Sequence, residues 1–201
     1  MNDTKTAITE PVPSHGFLDR LAAIYRRMDD AWDTAAAHYG FACSGCADNC
    51  CLTLFYHHTH LEYLYLRQGF RELPEGEQAI IRERAIQYDR EMAAFRAEEG
   101  PFRRMCPVNE NGGCRLYRHR PMICRLHGVP HELIPPGRGR VHGEGCHEFD
   151  RRCGDPVGFR LDRTPFYLEM ADLERCWKEK AGTARKFKGT VARMLLEMDT
   201  E

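Results

Sequence analysis

Cys43-Ser44-Gly45-Cys46-Ala47-Asp48-Asn49-Cys50-Cys51 places four thiols within nine residues, and the fold is read outward from it. Cys-x2-Cys lets one turn point two thiolates at the same metal, and Gly45 permits the tight backbone this requires. In extended backbone, neighbouring side chains point opposite ways, so Cys50 and Cys51 are expected to serve two metal sites, or two irons of one cluster. A second cluster runs Cys106-Pro107-Val108-Asn109-Glu110-Asn111-Gly112-Gly113-Cys114, followed by Tyr117, Arg120-Pro121 and Cys124-Arg125. Asn111-Gly112 is a strong hairpin turn signal, so Cys106 and Cys114 are expected to meet across a short ribbon. Pro121 supplies a rigid corner before Cys124, and Gly143-Glu144-Gly145-Cys146 adds another glycine-flanked thiol. Cys43, Cys46, Cys50, Cys51, Cys106, Cys114, Cys124 and Cys146 are therefore the candidate metal and cofactor ligands, enough for two sites of four sulfurs. Cys153 is the alternative to Cys146 as the last ligand. Cys176, beside Trp177 in a helical stretch, reads as an ordinary buried thiol.

Composition sets the context. The chain has 201 residues, ten cysteines, ten histidines and a formal charge of −1, with 42% hydrophobic and 29% charged residues. Those proportions exclude a mainly disordered chain and suit one domain. No apolar run approaches the ~18 residues of a membrane span. The first residues lack the apolar core of a secretory signal. Disulfide-dense domains are typically small and secreted, so thiols at this density in a chain of this size point to metal ligation in a cytoplasmic protein.

On either side of the cysteines the pattern is helical. Residues 1–13 read as a flexible leader, and residues 14–201 as a single cysteine-cluster metal-binding domain. From Ser14 as N-cap, Phe17, Leu21, Ile24, Met28, Trp32, Ala35 and Tyr39 recur at helical spacing until Gly40. Leu52, Leu54 and Tyr56 alternate as an extended run would. Thr59-x-x-Glu62 reads as a capping box opening a helix that Gly69 stops. A third helix begins after Pro74, carries Ile81, Ala85, Tyr88, Met92 and Phe95, and ends at Gly100-Pro101. Residues 102–163 contain five cysteines, nine glycines and six prolines and show little periodicity. So long an irregular stretch is unusual inside a domain, but metal binding can order backbone that a hydrophobic core does not. A helical tail, 164–198, opens on Thr164-Pro165 as cap and first-turn proline. Its stripes are Phe166, Met170, Leu173, Trp177 and then Phe187, Val191, Met194, Met198. The expected fold is mainly α, with helices packed around a loop-rich, metal-nucleated cysteine core and one short β-hairpin.

Charge is uneven: residues 1–101 hold 10 basic and 16 acidic side chains, whereas residues 102–163 hold 12 and 7. Each site of four thiolates carries a net charge near −2, which nearby arginines would offset. The excess is too small to imply nucleic acid, and no nucleic-acid partner is expected.

The spacing Cys-x2-Cys-x3-Cys-Cys, then Cys-Pro…Gly-Cys-x2-Tyr-x2-Arg-Pro-x2-Cys-Arg, resembles the YkgJ-like cysteine-cluster family, to which zinc or iron chelation is attributed. The resemblance covers residues 41–146; the x2-then-x3 spacing is a variant, and the gap from Cys124 to Cys146 departs from the pattern. It implies metal chelation and no particular reaction. A similar motif accompanies an iron–sulfur cluster in flagellin lysine methylases, which makes such a cluster credible here without transferring methylation. Four thiolates suit both zinc and iron–sulfur clusters. Structural zinc ligands more often come as two separated Cys-x2-Cys pairs, and this chain has one. Crowded, vicinal thiols favour a polynuclear centre, so [4Fe-4S] is the preferred cofactor and Zn²⁺ the alternative.

Other residues invite attention. His57, His58 and His60 lead into a capped helix, where a structural role is the simpler reading. His127, His131, His142 and His147 lie among the cysteines as candidate outer or mixed ligands. Arg120 and Arg125 are candidates to donate hydrogen bonds to cluster sulfurs. No phosphate loop, dinucleotide fingerprint, His-Glu-x-x-His or haem motif is present. The expected function is an iron–sulfur protein with a redox or sensing role and a redox or protein partner. A zinc-stabilised structural or interaction module is the alternative, and a cluster-containing, methylase-like modifying enzyme a further one.

Overall fold

A stripe of buried Phe17, Leu21, Ile24, Met28 and Ala35 makes one continuous face, and the chain coils beneath it into α1 (His15–His38). This opens the computed structural model of the chain, which describes residues 15–43, 50–96, 98, 100–154 and 158–198. The expected leader 1–13, the Ser14 cap and Cys46 lie outside those residues. At the far end of α1, Gly40 adopts φ 60°. The Gly40 N–H donates to Ala37 O and the Phe41 N–H to Ala36 O, at 3.1 and 2.8 Å. This double closure satisfies orphan carbonyls and releases the chain directly into the cysteine loop.

Seven helices, α1 to α7, dominate the described residues, with strands confined to two small sheets, so the molecule is mainly α. The N-cap half of the expected box forms: Thr59 Oγ1 accepts from Glu62 N at 3.1 Å and opens α2 (His60–Arg71), while the Glu62 carboxylate takes the Thr59 hydroxyl at 2.9 Å and the Met122 N–H at 3.0 Å. Gly69 does not stop this helix. A side chain there would meet the His119 ring at 2.3 Å, so the glycine admits a neighbour and the helix continues through it. Next comes α3 (Glu75–Ala94), which ends short of Gly100. Phe95 leaves the helix to pack edge-on to Phe102, itself edge-on to Tyr88, at 5.2 Å each. Leu52, Leu54 and Tyr56 do not form one extended run, because Cys50–Leu52 is a turn of 3-10 helix. Extension begins afterwards, and His57 bridges to Gly189 with N–H to O distances of 2.8 and 3.0 Å.

The glycine-rich middle holds more order than its composition suggests. The anticipated hairpin is β1 (Asn109–Glu110) with β2 (Gly113–Cys114), pairing Asn109 with Cys114. Asn111 at φ 51° and Gly112 at φ 84° turn it. Two short helices, α4 (Met122–Leu126) and α5 (His147–Cys153), follow. A second sheet has no counterpart in the sequence pattern: β3 (His131–Leu133) pairs antiparallel with β4 (Val141–Gly143) and parallel with β5 (Leu161–Asp162). Strands of two or three residues are too brief to show alternation. Thr164 is the first residue of α6 (Thr164–Ala181) rather than its cap; its Oγ1 takes the Ile134 N–H at 2.9 Å, and Asp162 Oδ1 takes the Thr164 N–H at 2.8 Å. Thr190 caps α7 (Val191–Glu197).

α1 packs against α2, α4 and α6, while α7 lies on α3. One hydrophobic cluster runs from Phe17 on α1 to Met198 just after α7. No helix among the described residues is long and apolar enough to cross a membrane.

Candidate metal centre

Five pieces of chain meet where α1 ends: the 50–55 turn, the β1–β2 hairpin, α4, the start of α5 and the start of α7. Between them lies a cavity of about 600 Å³ whose wall carries Cys43, Cys50, Cys51, Cys106, Cys114, Cys124 and Cys146. All the expected ligand thiols but the undescribed Cys46 therefore face one space. None is joined in a disulfide; Cys43 is exposed and the other six are half-buried. Cys153 sits at the opposite end of α5 from Cys146, with its sulfur 3.8 Å from Tyr39 O and away from the cavity wall. The chain thus brings Cys146, not Cys153, to the shared space. Cys176 stays on α6, apart from the others.

Backbone contacts hold the sulfurs in place. The Cys106 N–H donates to Cys51 O at 2.8 Å, which joins the two halves of the cysteine pattern. The Asn109 N–H closes a turn onto Cys106 O at 2.9 Å, and the hairpin register then sets Cys114 beside Asn109. Cys124 rides on α4 after the Pro121 corner, and the Cys146 N–H binds Gly128 O at 3.0 Å.

Cys50 and Cys51 do not diverge. Their 3-10 backbone turns the two thiols onto each other as a hydrogen-bonded pair. That bond lowers the pKa of Cys51, aided by the Asn109 carboxamide, and raises that of Cys50, whose burial adds to the rise. Burial is also the main force pushing up Cys106 and Cys124, and it lifts Cys114 to about 11. The negative charges of neighbouring thiols, Cys51 in every case, raise these three further. Ionising several of them together without a cation would be costly.

Arg120 and Arg125 act differently from expectation. Their guanidinium groups bind Asp29 on α1, at 2.9 and 2.6 Å, and backbone carbonyls of the 117–120 turn, not sulfur. They still lower the Cys114 pKa through their charge. Asp29 gives no sign in the sequence of being a site residue: an acidic side chain on an amphipathic helix carries no local signal of its partner. Asn109 gives none either. Its Oδ1 takes the Gly112 N–H at 3.2 Å, while its buried Nδ2 makes no full hydrogen bond and leans toward Cys51.

Two histidines, His57 and His127, reach the cavity. Burial drives His57 down to about 3 and His127 to about 4, so both are neutral. His60 is structural, its Nδ1 2.7 Å from Glu174 Oε1 and its ring stacked on Trp177 at 5.1 Å. His58, His142 and His147 are exposed. His131 sits where a side chain at Gly143 would strike its ring.

Tetrahedral zinc needs four sulfurs about 2.3 Å from one point. No three His, Cys, Asp or Glu side chains among the described residues are grouped to hold a single ion. Seven thiols line one cavity, and beside Cys51 the buried Asn109 Nδ2 lacks a full hydrogen bond. Against known proteins, the chain matches no family model, no curated protein and no solved structure.

Proposed function

We propose that this chain is a cytoplasmic, cysteine-ligated metalloprotein of the YkgJ-like kind that binds an iron–sulfur cluster, [4Fe-4S] in preference to zinc, in a redox or sensing role. The observation that carries this reading is the convergence of seven thiols, none of them joined in a disulfide and drawn from distant parts of the chain, on one cavity. Reduced thiols at this density belong in a reducing compartment. A bound cluster would supply one-electron exchange. The chain's part is to hold it through thiolates, to balance its charge with Arg120 and Arg125, and to shield it with Trp32, Phe41 and Phe55 on the same wall.

Purification under nitrogen, with iron, acid-labile sulfide and zinc measured per chain, tests this. The expected product is brown, contains iron and sulfide in equal amounts, and bleaches reversibly on reduction. A colourless protein with stoichiometric zinc would replace this function with the structural module. A coloured protein that cannot be reduced would remove the redox role.

A further inference from the structure

Beside the thiol cavity lies a second hollow of about 940 Å³, formed by the chain entering α2, the start of α4 and one side of α6. We infer that it binds a small organic cation, an alkyl- or arylammonium, with the ammonium on Glu62 and the apolar body against Met122, Ile123, Tyr167 and Met170. A hollow of this size suits a small molecule. The two cavities are neighbours: His57 lines both, and α4 gives Met122 and Ile123 to one while its Cys124 lines the other. The inference does not depend on which metal the thiols hold.

Charge decides the class of ligand. Among the described residues two permanent cations line the hollow, Arg175 and Lys178, and both are already engaged. Arg175 pairs with Asp172 and, at 2.7 Å, with Glu179; Lys178 pairs with Glu174 at 3.3 Å. Glu174 also takes the backbone N–H groups of His60 and Leu61. Glu62 is left over. It is 3% exposed, and the donors it accepts are uncharged: the Thr59 hydroxyl at 2.9 Å, the Met122 N–H at 3.0 Å and the His58 N–H. His57 Nδ1, 4.0 Å away, belongs to a ring that burial keeps neutral. A carboxylate removed from water without a cation is held at a cost in solvation, which an incoming ammonium relieves and an anion worsens. Burial, with the nearby charge of Glu174 adding to it, pushes the Glu62 pKa up, as such a position requires. A metal ion does not fit, since no three His, Cys, Asp or Glu side chains among the described residues are grouped for one. Met122, Ile123, Met170 and Tyr167 instead give the hollow an apolar side that takes a hydrocarbon or aromatic body.

The test is calorimetric titration of the full chain, as purified under nitrogen, with phenethylamine, its neutral isostere phenethyl alcohol and the anion hydrocinnamate. Phenethylamine is expected to bind roughly tenfold or more tightly than the alcohol, and hydrocinnamate more weakly than either. Glu62→Gln keeps an acceptor for the Met122 N–H and a partner for Thr59, and should erase the preference for amine over alcohol. A Glu62 that served only to cap helices would leave that preference unchanged. Ala171→Trp, at an exposed position on the wall, fills the hollow without entering the core and should weaken amine binding about tenfold or more, which keeps the inference testable should Glu62→Gln not fold. No saturable binding of the amine, equal affinity for amine and alcohol in the parent, a preference that survives in Glu62→Gln, or undiminished binding in Ala171→Trp each overturns the inference.

Discussion

His57 shows how one side chain can be mistaken for chemistry. In sequence it heads a run of histidines that invites a ligand reading, although a structural role is the simpler one; in the structure it is 2% exposed and bridged through its backbone to Gly189. Burial, helped by the charge of His58, lowers its pKa from 6.5 to about 3. A group whose folded pKa is depressed stabilises the fold above its unfolded value and loses that contribution as pH falls. For His57 the window runs from pH 6.5 down to about 3, at ~1.4 kcal/mol per pH unit. His57→Gln should therefore lose about 2 kcal/mol less stability than the parent between pH 6.5 and roughly 5, as read by denaturant unfolding at both pH values. Equal losses would show that His57 is not held neutral by the fold. The cysteines were legible one by one, because thiols crowded at short spacing serve little chemistry besides metal ligation and disulfide formation. Asp29, Asn109 and the facing of Cys50 onto Cys51 were not, since each depends on backbone geometry or on a partner far away in the chain.

At the scale of elements, amphipathic stripes and caps marked the helices well. The stripe from Phe17 to Ala35, the Thr59 N-cap and the Asn111-Gly112 turn all occur where local chemistry placed them. Tertiary contacts account for the departures from the local pattern. Gly69 looked like a stop, yet it is buried inside α2 where His119 lies against the backbone and near the Tyr65 ring, at 4.8 Å. Alanine in a helix interior normally gains up to ~1 kcal/mol over glycine. Here its Cβ would lie 2.3 Å from His119 Cγ and 2.8 Å from His119 Cβ, too near the root of that side chain for a simple swing away. Overpacking of this kind costs ~1–3 kcal/mol, so Gly69→Ala should lower the melting temperature. Gly69→Ala combined with His119→Ala should recover it relative to His119→Ala alone. A stabilising Gly69→Ala single variant would refute the contact. The three-stranded sheet and the helices α4 and α5 left no mark in the sequence, because elements of two to seven residues offer too little periodicity to detect.

Across the whole molecule, the acidic front and the basic middle meet. Arg104 pairs with Glu91 at 2.7 Å, Arg115 with Glu77, and Arg120 and Arg125 with Asp29. The uneven charge seen in sequence is thus partly internal, with the cysteine-bearing segment drawn onto the helical scaffold by opposite charges. The exposed pairs among these add little individually, at ~0–1 kcal/mol. Arg125 is the exception, since its guanidinium is 3% exposed and lies over the Tyr25 ring at 4.1 Å. The cysteine residues gave away the convergence of the site, but not its enclosure, which depends on α1, α5 and α7 arriving together.

Trp32 reaches into that enclosure, its indole N–H bound to His127 O at 2.8 Å, whereas the other tryptophan, Trp177, stacks on His60 elsewhere. A fluorophore thus stands on the wall of the chamber, and an absorbing occupant would drain its excited state. Trp177→Phe protein, with Trp32 as sole emitter, should darken more on loading than Trp32→Phe protein, and a steady glow from Trp32 would mean the chamber had stayed vacant. The protein carries its own lamp, and its dimming would time the arrival and departure of whatever the sulfurs hold.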